Sequence, residues 1–416
     1  MRTDVIVLGA GMVGVSVAVH LQKRGRSVTL VDRRGVGEET SHGNAGLIQS
    51  EGVYPYGFPH DFGALLRYAL NNTTDAHYHL SALPKLLPFL ASYWWNSRAG
   101  RHAEIAQLYA RLIEHCVAEH DALAAEAGAS HLIRRNGWIK LFRTAKERDE
   151  RLAEAESWRR DFGLPYAALD QRGLREKEPH LDQGLIGGLH WIDPTSTPDP
   201  GGLTRAYGTH FERLGGCFAQ GDARTLAREP EGWTLRLADG GRIAGRDVVV
   251  CLGPWSDLVT RAFGYRIPFA VKRGYHMHYR LEGNAVLNHP CLDVERGYFL
   301  APMVKGVRLT TGAEFALRDA APTPVQLARA EPIARSLLAL GERLDPEPWM
   351  GCRPCTPDML PVIGMAPRHD GLFLAFGHAH HGLTLGPVTG RLIAEMVTGE
   401  QPFIDPAPYA PDRFNP

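Results

Sequence analysis

Cysteine is scarce in this chain. Its 416 residues hold 6 cysteines, too few for the disulfide framework of a secreted scaffold, and they read as reduced thiols of a cytoplasmic protein. Neither sign of charge is in excess. The 46 Lys and Arg balance 46 Asp and Glu, which argues against a nucleic-acid binder, whose contact face needs surplus positive charge. Long apolar runs are also missing: no stretch of about 18 such residues exists, so no membrane-spanning helix is expected. The segment Met1 to Leu8 has one Arg and a short apolar run from Val5. It lacks the longer apolar region and cleavage site of a signal peptide. The one local apolar excess is Leu80 to Trp95, LSALPKLLPFLASYWW. It reads either as a core helix with a proline kink, or as a patch that meets a membrane surface or a partner.

The length suits two intertwined domains rather than one core. Asp4 to Leu8 reads as a buried strand, Gly9 to Gly14 as a turn, and Met12 to Arg24 as a helix with Gly25 at its end. Ser27 to Val31 is the next strand, which completes a strand–helix–strand opening. Residues 62 to 130 are mostly helical, with Ala103 to Ala127 as one long amphipathic stretch. Trp138 to Arg143 reads as a strand and Ala145 to Phe162 as a helix. Asp193 to Gly202 is rich in Pro, Thr and Gly, as expected of a crossing between domains. Asp239-Gly240-Gly241 turns a hairpin between Trp233–Leu237 and Arg242–Ile243. Asp247 to Leu252 has the unbroken apolar character of a parallel strand. Residues 265 to 312 alternate like antiparallel strands, Leu372 to Phe376 is a buried strand, and Pro387 to Val397 is a last helix. The Pro-rich tail from Gln401 is expected to lie across the surface.

The strongest chemical signal is Gly9-Ala10-Gly11-Met12-Val13-Gly14. Such a motif is weak alone. Here it follows a strand, opens a helix and precedes an acid, Asp32, at the end of the next strand, which is the context dinucleotide binding needs. The first glycine allows the turn, the second lets a pyrophosphate approach the backbone, and the third lets helix and strand pack. The phosphates sit on the helix N-terminus, and Asp32 accepts hydrogen bonds from a ribose. Arg33 and Arg34 follow it and could suit the 2′-phosphate of NADP. Against a nicotinamide cofactor stands the layout: the matching strand, Asp247 to Gly253, comes some 200 residues later. A flavin domain with inserted substrate modules has that discontinuity.

Three further motifs carry a resemblance. They are Thr40-Ser41-His42-Gly43-Asn44-Ala45-Gly46, then Gly253-Pro254-Trp255-Ser256, then a C-terminal pair. That pair is Gly351-Cys352-Arg353-Pro354-Cys355-Thr356-Pro357-Asp358 with Pro361-Val362-Ile363-Gly364, and Gly377-His378-Ala379-His380-His381-Gly382-Leu383-Thr384. With the N-terminal motif, the whole chain resembles the FAD-dependent amino-acid oxidases and dehydrogenases. That family includes D-amino-acid oxidase, glycine and sarcosine oxidases, and bacterial D-amino-acid dehydrogenase, to which the likeness is greatest. Two departures stand out. Asp32 replaces a more usual Glu, and His381 stands where an apolar residue or Tyr is common.

The resemblance implies an α/β fold: a Rossmann-like FAD-binding domain from residues 1–60, 190–262 and 350–416, with an inserted α+β substrate domain from 61–189 and 263–349. It implies an FAD site built from Gly9, Gly11, Met12, Val13, Gly14, Asp32 and Arg33; from Ser41, Asn44, Ala45, Gly46 and Leu47 along the pyrophosphate and ring; and from Gly253, Trp255, Gly377, Gly382, Leu383 and Thr384. The last three feed a helix whose positive end can face the flavin C2 carbonyl. Arg353 is the expected carboxylate clamp, because a guanidinium grips a planar carboxylate with two parallel bonds. Tyr275, Tyr298 and His380 are further substrate-side candidates, with His276 beside them.

The implied reaction is oxidative deamination of a small amino or imino acid, a D-amino acid or a cyclic one such as D-proline or hydroxyproline. Hydride leaves Cα for flavin N5, and the imine hydrolyses. Positioning matters more than acid–base chemistry here, so no catalytic acid or base is assigned. Electrons would pass to a quinone or similar carrier, with a peripheral contact at the inner membrane. The alternatives are a glycine- or sarcosine-type oxidase using oxygen, and an FAD-binding subunit of a hetero-oligomer. No metal site is expected: Cys352 and Cys355 lack further ligands, and His378, His380 and His381 lack a joining carboxylate. His42 is the one candidate for a covalent flavin link. Handedness of the substrate and the oligomeric state are not written in the motifs.

Overall fold

The computed structural model describes residues 2–414. Two large sheets organise the chain. In the first, Leu372–Phe376, Arg242–Val250, Arg2–Leu8, Val28–Asp32 and Cys217–Gln220 lie side by side, all parallel. The middle of the sheet, Val5–Leu8 and Val248–Val250, is an unbroken run of Val, Ile and Leu because both faces are covered. Val5, Val7 and Val249 pack under the helices Met12–Lys23, Pro200–Arg213 and Gly386–Thr398. Ile6, Leu8, Val248 and Val250 pack on the opposite face, against Trp233 and Leu235.

The first and last helices cross closely at glycines. A Cβ on Gly386 would lie 2.4 Å from Met12 Cγ, and one on Gly390 would lie 2.6 Å from the Ser16 carbonyl carbon. Backbone thus meets backbone, and the N-termini of both helices reach the same end of the sheet.

The second sheet has eleven strands, with Ala270–Leu281 at its centre and Trp349–Cys355 paired antiparallel to it. The residues taken as domain boundaries, 190 and 350, fall inside strands Gly187–Trp191 and Trp349–Cys355 of this sheet.

Two local readings change, and two gain detail. The hairpin arm and the later parallel strand are one strand, Arg242–Val250; its first half pairs antiparallel with Gly232–Arg236 and its second half parallel with Leu372–Phe376. The long amphipathic stretch is two helices, Ala99–Ile113 and Cys116–Ala127. The break re-aims the second helix, so that Cys116 and Leu123 bury in the core that holds Ile105 and Tyr109. The tail lies across the surface, as expected, and is stapled to it. Tyr409 is fully buried and donates to the Leu108 carbonyl at 2.6 Å, and Arg413 pairs with Asp358 at 2.8 Å. In Leu80–Trp95 both readings have a face. Leu86, Phe89 and Tyr93 of helix Leu83–Asn96 are buried, while Leu80, Leu87, Trp94 and Trp95 are exposed. The preceding helix, Phe62–Ala69, buries no residue at all.

Candidate active site

A cavity of about 1250 Å³ is walled by both sheets and by the first and last helical turns. Pockets for ordinary small ligands run to roughly 300–1,000 Å³, so this one has room for a dinucleotide and a second, small molecule.

The strand–turn–helix at the N-terminus builds one end. Gly9 has φ +101°, and a Cβ there would lie 2.4 Å from the Cys251 carbonyl oxygen; a Cβ on Gly14 would lie 1.8 Å from the oxygen of Gly9. Only glycine allows the turn and the helix to sit this close. Gly11 caps the helix without a side-chain acceptor, and the Met12 N–H donates instead to Ser41 Oγ at 3.0 Å. The helix end is therefore open to an anion. Asp32 accepts from the Ala10 N–H at 2.7 Å and the Arg34 N–H at 2.9 Å. Burial raises its pKa, against those hydrogen bonds. Two N–H donors leave further carboxylate lone pairs for ribose hydroxyls. Arg33 pairs with Glu39 at 2.6 Å and lies 4.2 Å over the Trp255 ring; Arg34 pairs with the same Glu39 at 3.2 Å. Both cations share this one carboxylate.

Of the expected cofactor residues, Gly9, Gly11, Met12, Val13, Asp32, Arg33, Ser41, Asn44, Ala45, Leu47, Gly253, Trp255, Gly382 and Leu383 line the cavity. Gly14, Gly46, Gly377 and Thr384 stand behind the wall. A Cβ on Gly46, which has φ +81°, would lie 2.3 Å from the Thr197 oxygen. Thr384 Oγ1 donates to the Leu47 carbonyl and accepts from the Gln49 N–H, both at 3.3 Å or less. It ties the flavin loop to the turn before the last helix.

Arg353, Tyr275, His276, Tyr298 and His380 all reach the same cavity. Arg353 extends across Gly274, where a Cβ would lie 2.5 Å from Nη2. Its guanidinium donates to the carbonyls of Gly312 at 2.9 Å and of Thr311 and Arg273 at 3.4 Å. Among the described residues no carboxylate pairs with it, and burial lowers its pKa. Tyr275 is in the wall, but its hydroxyl donates to Glu314 at 2.8 Å and accepts from the Thr323 N–H. The Tyr298 hydroxyl likewise donates to Asp293 at 3.1 Å. These phenols are committed to buried acids. His380 stacks on Tyr56 with ring centroids 4.7 Å apart, and on His381 at 3.8 Å.

The three C-terminal histidines diverge. His378 bonds Thr389 at 2.9 Å; His381 bonds Tyr109 at 2.7 Å and Gln49 at 3.2 Å. Burial lowers both to about 3, so they are neutral hydrogen-bonding groups. His381 thus explains its unusual position: it locks Gln49, which lines the cavity. His77, His79 and Glu314 also converge, but both oxygens of Glu314 are taken by Arg273, Tyr275 and Thr323. All six cysteines are free thiols.

Several residues in or behind the wall gave no local signal in the sequence. Trp349 stacks on His276 at 4.8 Å and lies over Gly43. Arg308, buried on strand Gly306–Thr310, donates to the Asn44 carbonyl of the flavin loop. It also donates to His278 at 3.0 Å, which in turn bonds Asp345 at 2.7 Å. Burial lowers Arg308 to about 10, still a cation. Lys272 is the third. Each depends on strand pairing that joins residues far apart in the chain.

Comparison with known proteins agrees with this geometry. The model of the FAD dependent oxidoreductase family, DAO, matches residues 4–396. The chain belongs to that family. This FAD-dependent oxidoreductase is 32% identical over 424 residues to the D-amino acid dehydrogenase of Rhizobium johnstonii, with 99% of each chain covered. It is 30% identical over 432 residues to the D-amino-acid oxidase of Bradyrhizobium diazoefficiens, covering 99% of this chain and 98% of that one. The glycine oxidase of Geobacillus kaustophilus shares the fold, with a TM-score of 0.74, 23% identity and 98% of each chain covered.

FAD is its cofactor, and the residues present fit it: an open helix end, glycines where backbone must be bare, and a ribose acid with spare lone pairs. His42 packs beside Trp349, 6.4 Å between ring centroids, and is not among the cavity-lining residues described. Acid precipitation is therefore expected to release all the flavin into the supernatant. Yellow colour left in the protein pellet would place a covalent link here.

Proposed function

We propose that the protein oxidises a D-amino acid to the corresponding imine, which water converts to a keto acid, and that the electrons leave to a quinone or similar carrier. Bound FAD supplies the acceptor for the two electrons and the Cα hydrogen. The observation that carries this reading is Arg353, a cation in the cavity wall whose described partners are all carbonyls. A cation left in that state awaits an anion, and its fork fits the α-carboxylate. The names of the two bacterial relatives above support the choice of D-amino acids.

In this reading Arg353 fixes the substrate, Gly312 and Thr311 fix Arg353, and the apolar walls exclude water from the reacting carbon. His380 is a poor base, because burial, with His381, Arg353 and Lys272 nearby, holds its pKa well below the ordinary 6.5. The amine must then arrive neutral or lose its proton to solvent. Accordingly kcat/KM is expected to rise with pH as the substrate ammonium titrates, with no inflection near 6.5. An inflection there that vanishes in His380→Gln would assign a base after all.

The exposed apolar face of Phe62, Leu66, Leu70, Leu87, Trp94 and Trp95 supports contact with an anionic bilayer that holds the quinone. Leu65, Leu83 and Leu90 of the same segment continue that face into the cavity, and Lys85 and Arg98 are exposed beside it. No helix among the described residues is long and apolar enough to cross a membrane, so this contact is peripheral. Flotation with phosphatidylglycerol vesicles should carry the protein up, and L87E/W95E should abolish it.

In the domain reading, residues 1–60, 190–262 and 350–416 hold the flavin, and residues 61–189 and 263–349 cover the substrate. The deciding experiment is anaerobic bleaching of the flavin by a panel of D- and L-amino acids, including proline and hydroxyproline. Bleaching by L-forms alone, or only by glycine and sarcosine, would replace the proposal.

A further inference from the structure

Arg353 is not the only unneutralised cation in the cavity wall. Lys272, on strand Ala270–Leu281, lines the same cavity. Its ammonium lies 3.9 Å from the Tyr93 ring centroid and 5.6 Å from that of Phe315. Among the described residues no carboxylate pairs with it. Ring faces hold an ammonium in place by their quadrupole but do not cancel its charge.

The two cations are cross-strand partners, Lys272 opposite Arg353, so both side chains leave the sheet on one face. The Arg353 guanidinium crosses the central strand at Gly274 and is fixed by the carbonyls of Thr311 and Gly312. The Lys272 ammonium stays at the level of its own strand pair, against Phe315 and Tyr93 of helix Leu83–Asn96. Gly274 lies two residues beyond Lys272, about 7 Å along the strand. His380 sits within the field of both, and each lowers its pKa in addition to burial. A substrate with a single anion, held by the Arg353 fork, brings Lys272 no carboxylate of its own.

We infer that Lys272 forms a second anion subsite, and that the preferred substrate is an acidic D-amino acid whose side-chain carboxylate meets Lys272 while its α-carboxylate meets Arg353. This rests on the oxidase reading above and adds the substrate class to it. Gly274 belongs to the same device: any side chain there would push the Arg353 head from its seat.

The test compares isosteric pairs. Anaerobic stopped-flow reduction of the flavin is measured with D-glutamate against D-glutamine, and with D-aspartate against D-asparagine. The second-order rate constant for one acid is expected to exceed that of its amide at least tenfold. Lys272→Met should lower that ratio at least tenfold, and Lys272→Arg should keep it. A separate binding readout uses unreactive acids: glutarate or succinate should perturb the flavin spectrum and raise Tm in the wild type, whereas butyrate should do so weakly. A ratio near one for both pairs, or a ratio that Lys272→Met leaves intact, overturns the inference and leaves the oxidase reading standing. If no amino acid reduces the flavin, the oxidase reading falls, and glutarate binding that depends on Lys272 decides the anion subsite by itself.

Discussion

Replacing Arg353 by Met should lower kcat/KM by at least tenfold, with FAD content and Tm near those of the wild type. Removing one partner of a buried, hydrogen-bonded charge pair costs about 2–5 kcal/mol, or roughly thirtyfold to several thousandfold in rate. The larger figure applies when the ligand carboxylate is left without any donor. Here Arg353 makes only carbonyl contacts within the protein, so its loss leaves no uncompensated protein anion and the fold should tolerate it. The split matters as much as the size. If Arg353 only binds, KM rises and kcat holds; if it also aligns Cα, kcat falls too. Arg353→Lys keeps the charge but loses the fork, and should recover part of the binding and little of the alignment. Kinetics unchanged in Arg353→Met would remove this residue from the site.

Gly9→Ala should give a colourless protein. Two independent costs meet at this position. Its φ of +101° is forbidden to a residue with a side chain, and the added Cβ would lie 2.4 Å from the Cys251 carbonyl oxygen. That oxygen belongs to the residue just after strand Arg242–Val250, whose N–H is tied to the Leu8 carbonyl at 2.7 Å, so it cannot swing away. Backbone strain alone costs of order 1–3 kcal/mol, and the clash adds to it by shifting the turn that shapes the open helix end. The expected result is an FAD Kd weakened at least a hundredfold, read as lost absorbance near 450 nm per protein (roughly the flavin band, in the sense of a bound chromophore). Gly25→Ala provides the control: φ is also positive there, +74°, but no atom lies within 4 Å of the added Cβ. It should lose some stability and keep its flavin. A Gly9→Ala protein that purifies yellow at full occupancy would refute the account of the turn.

The cofactor half of the site was legible because its signals are local. Gly9, Gly11, Gly14 and Asp32 fall within one strand–helix–strand unit, and the backbone around Gly9 and Gly14 leaves no room for a side chain. The final helix was legible from Gly399, which ends it at φ +74°. The substrate half was read through likeness rather than from spacing. Tyr275 and Tyr298 were expected on the substrate side, and the acid partners of their hydroxyls, Glu314 and Asp293, could not be foreseen as contacts. Glu314 meets Tyr275 only because strands Ala270–Leu281 and Ala313–Phe315 pair. Lys272 looked like any strand lysine until Tyr93, some 180 positions earlier, closed over it. Glu51 shows the same limit. It is buried, its pKa is raised by that burial, and it takes hydrogen bonds from Gln49 and Trp138, yet its surroundings in the sequence resemble an ordinary loop.

The glycine crossing of the first and last helices has a consequence for biosynthesis. The cavity wall runs from Gly9 to Leu383, and the helix that braces the first against it ends at Thr398. A nascent chain on the ribosome can complete its first strand–helix–strand unit early, as N-terminal segments generally do, but it has no flavin pocket until Leu383 has been made. Flavin capture therefore waits for residues some 370 positions after Gly9. A cell short of the vitamin would accumulate full-length apoprotein with an open cleft, rather than stalled or truncated chains, and this pool could be charged later without new synthesis.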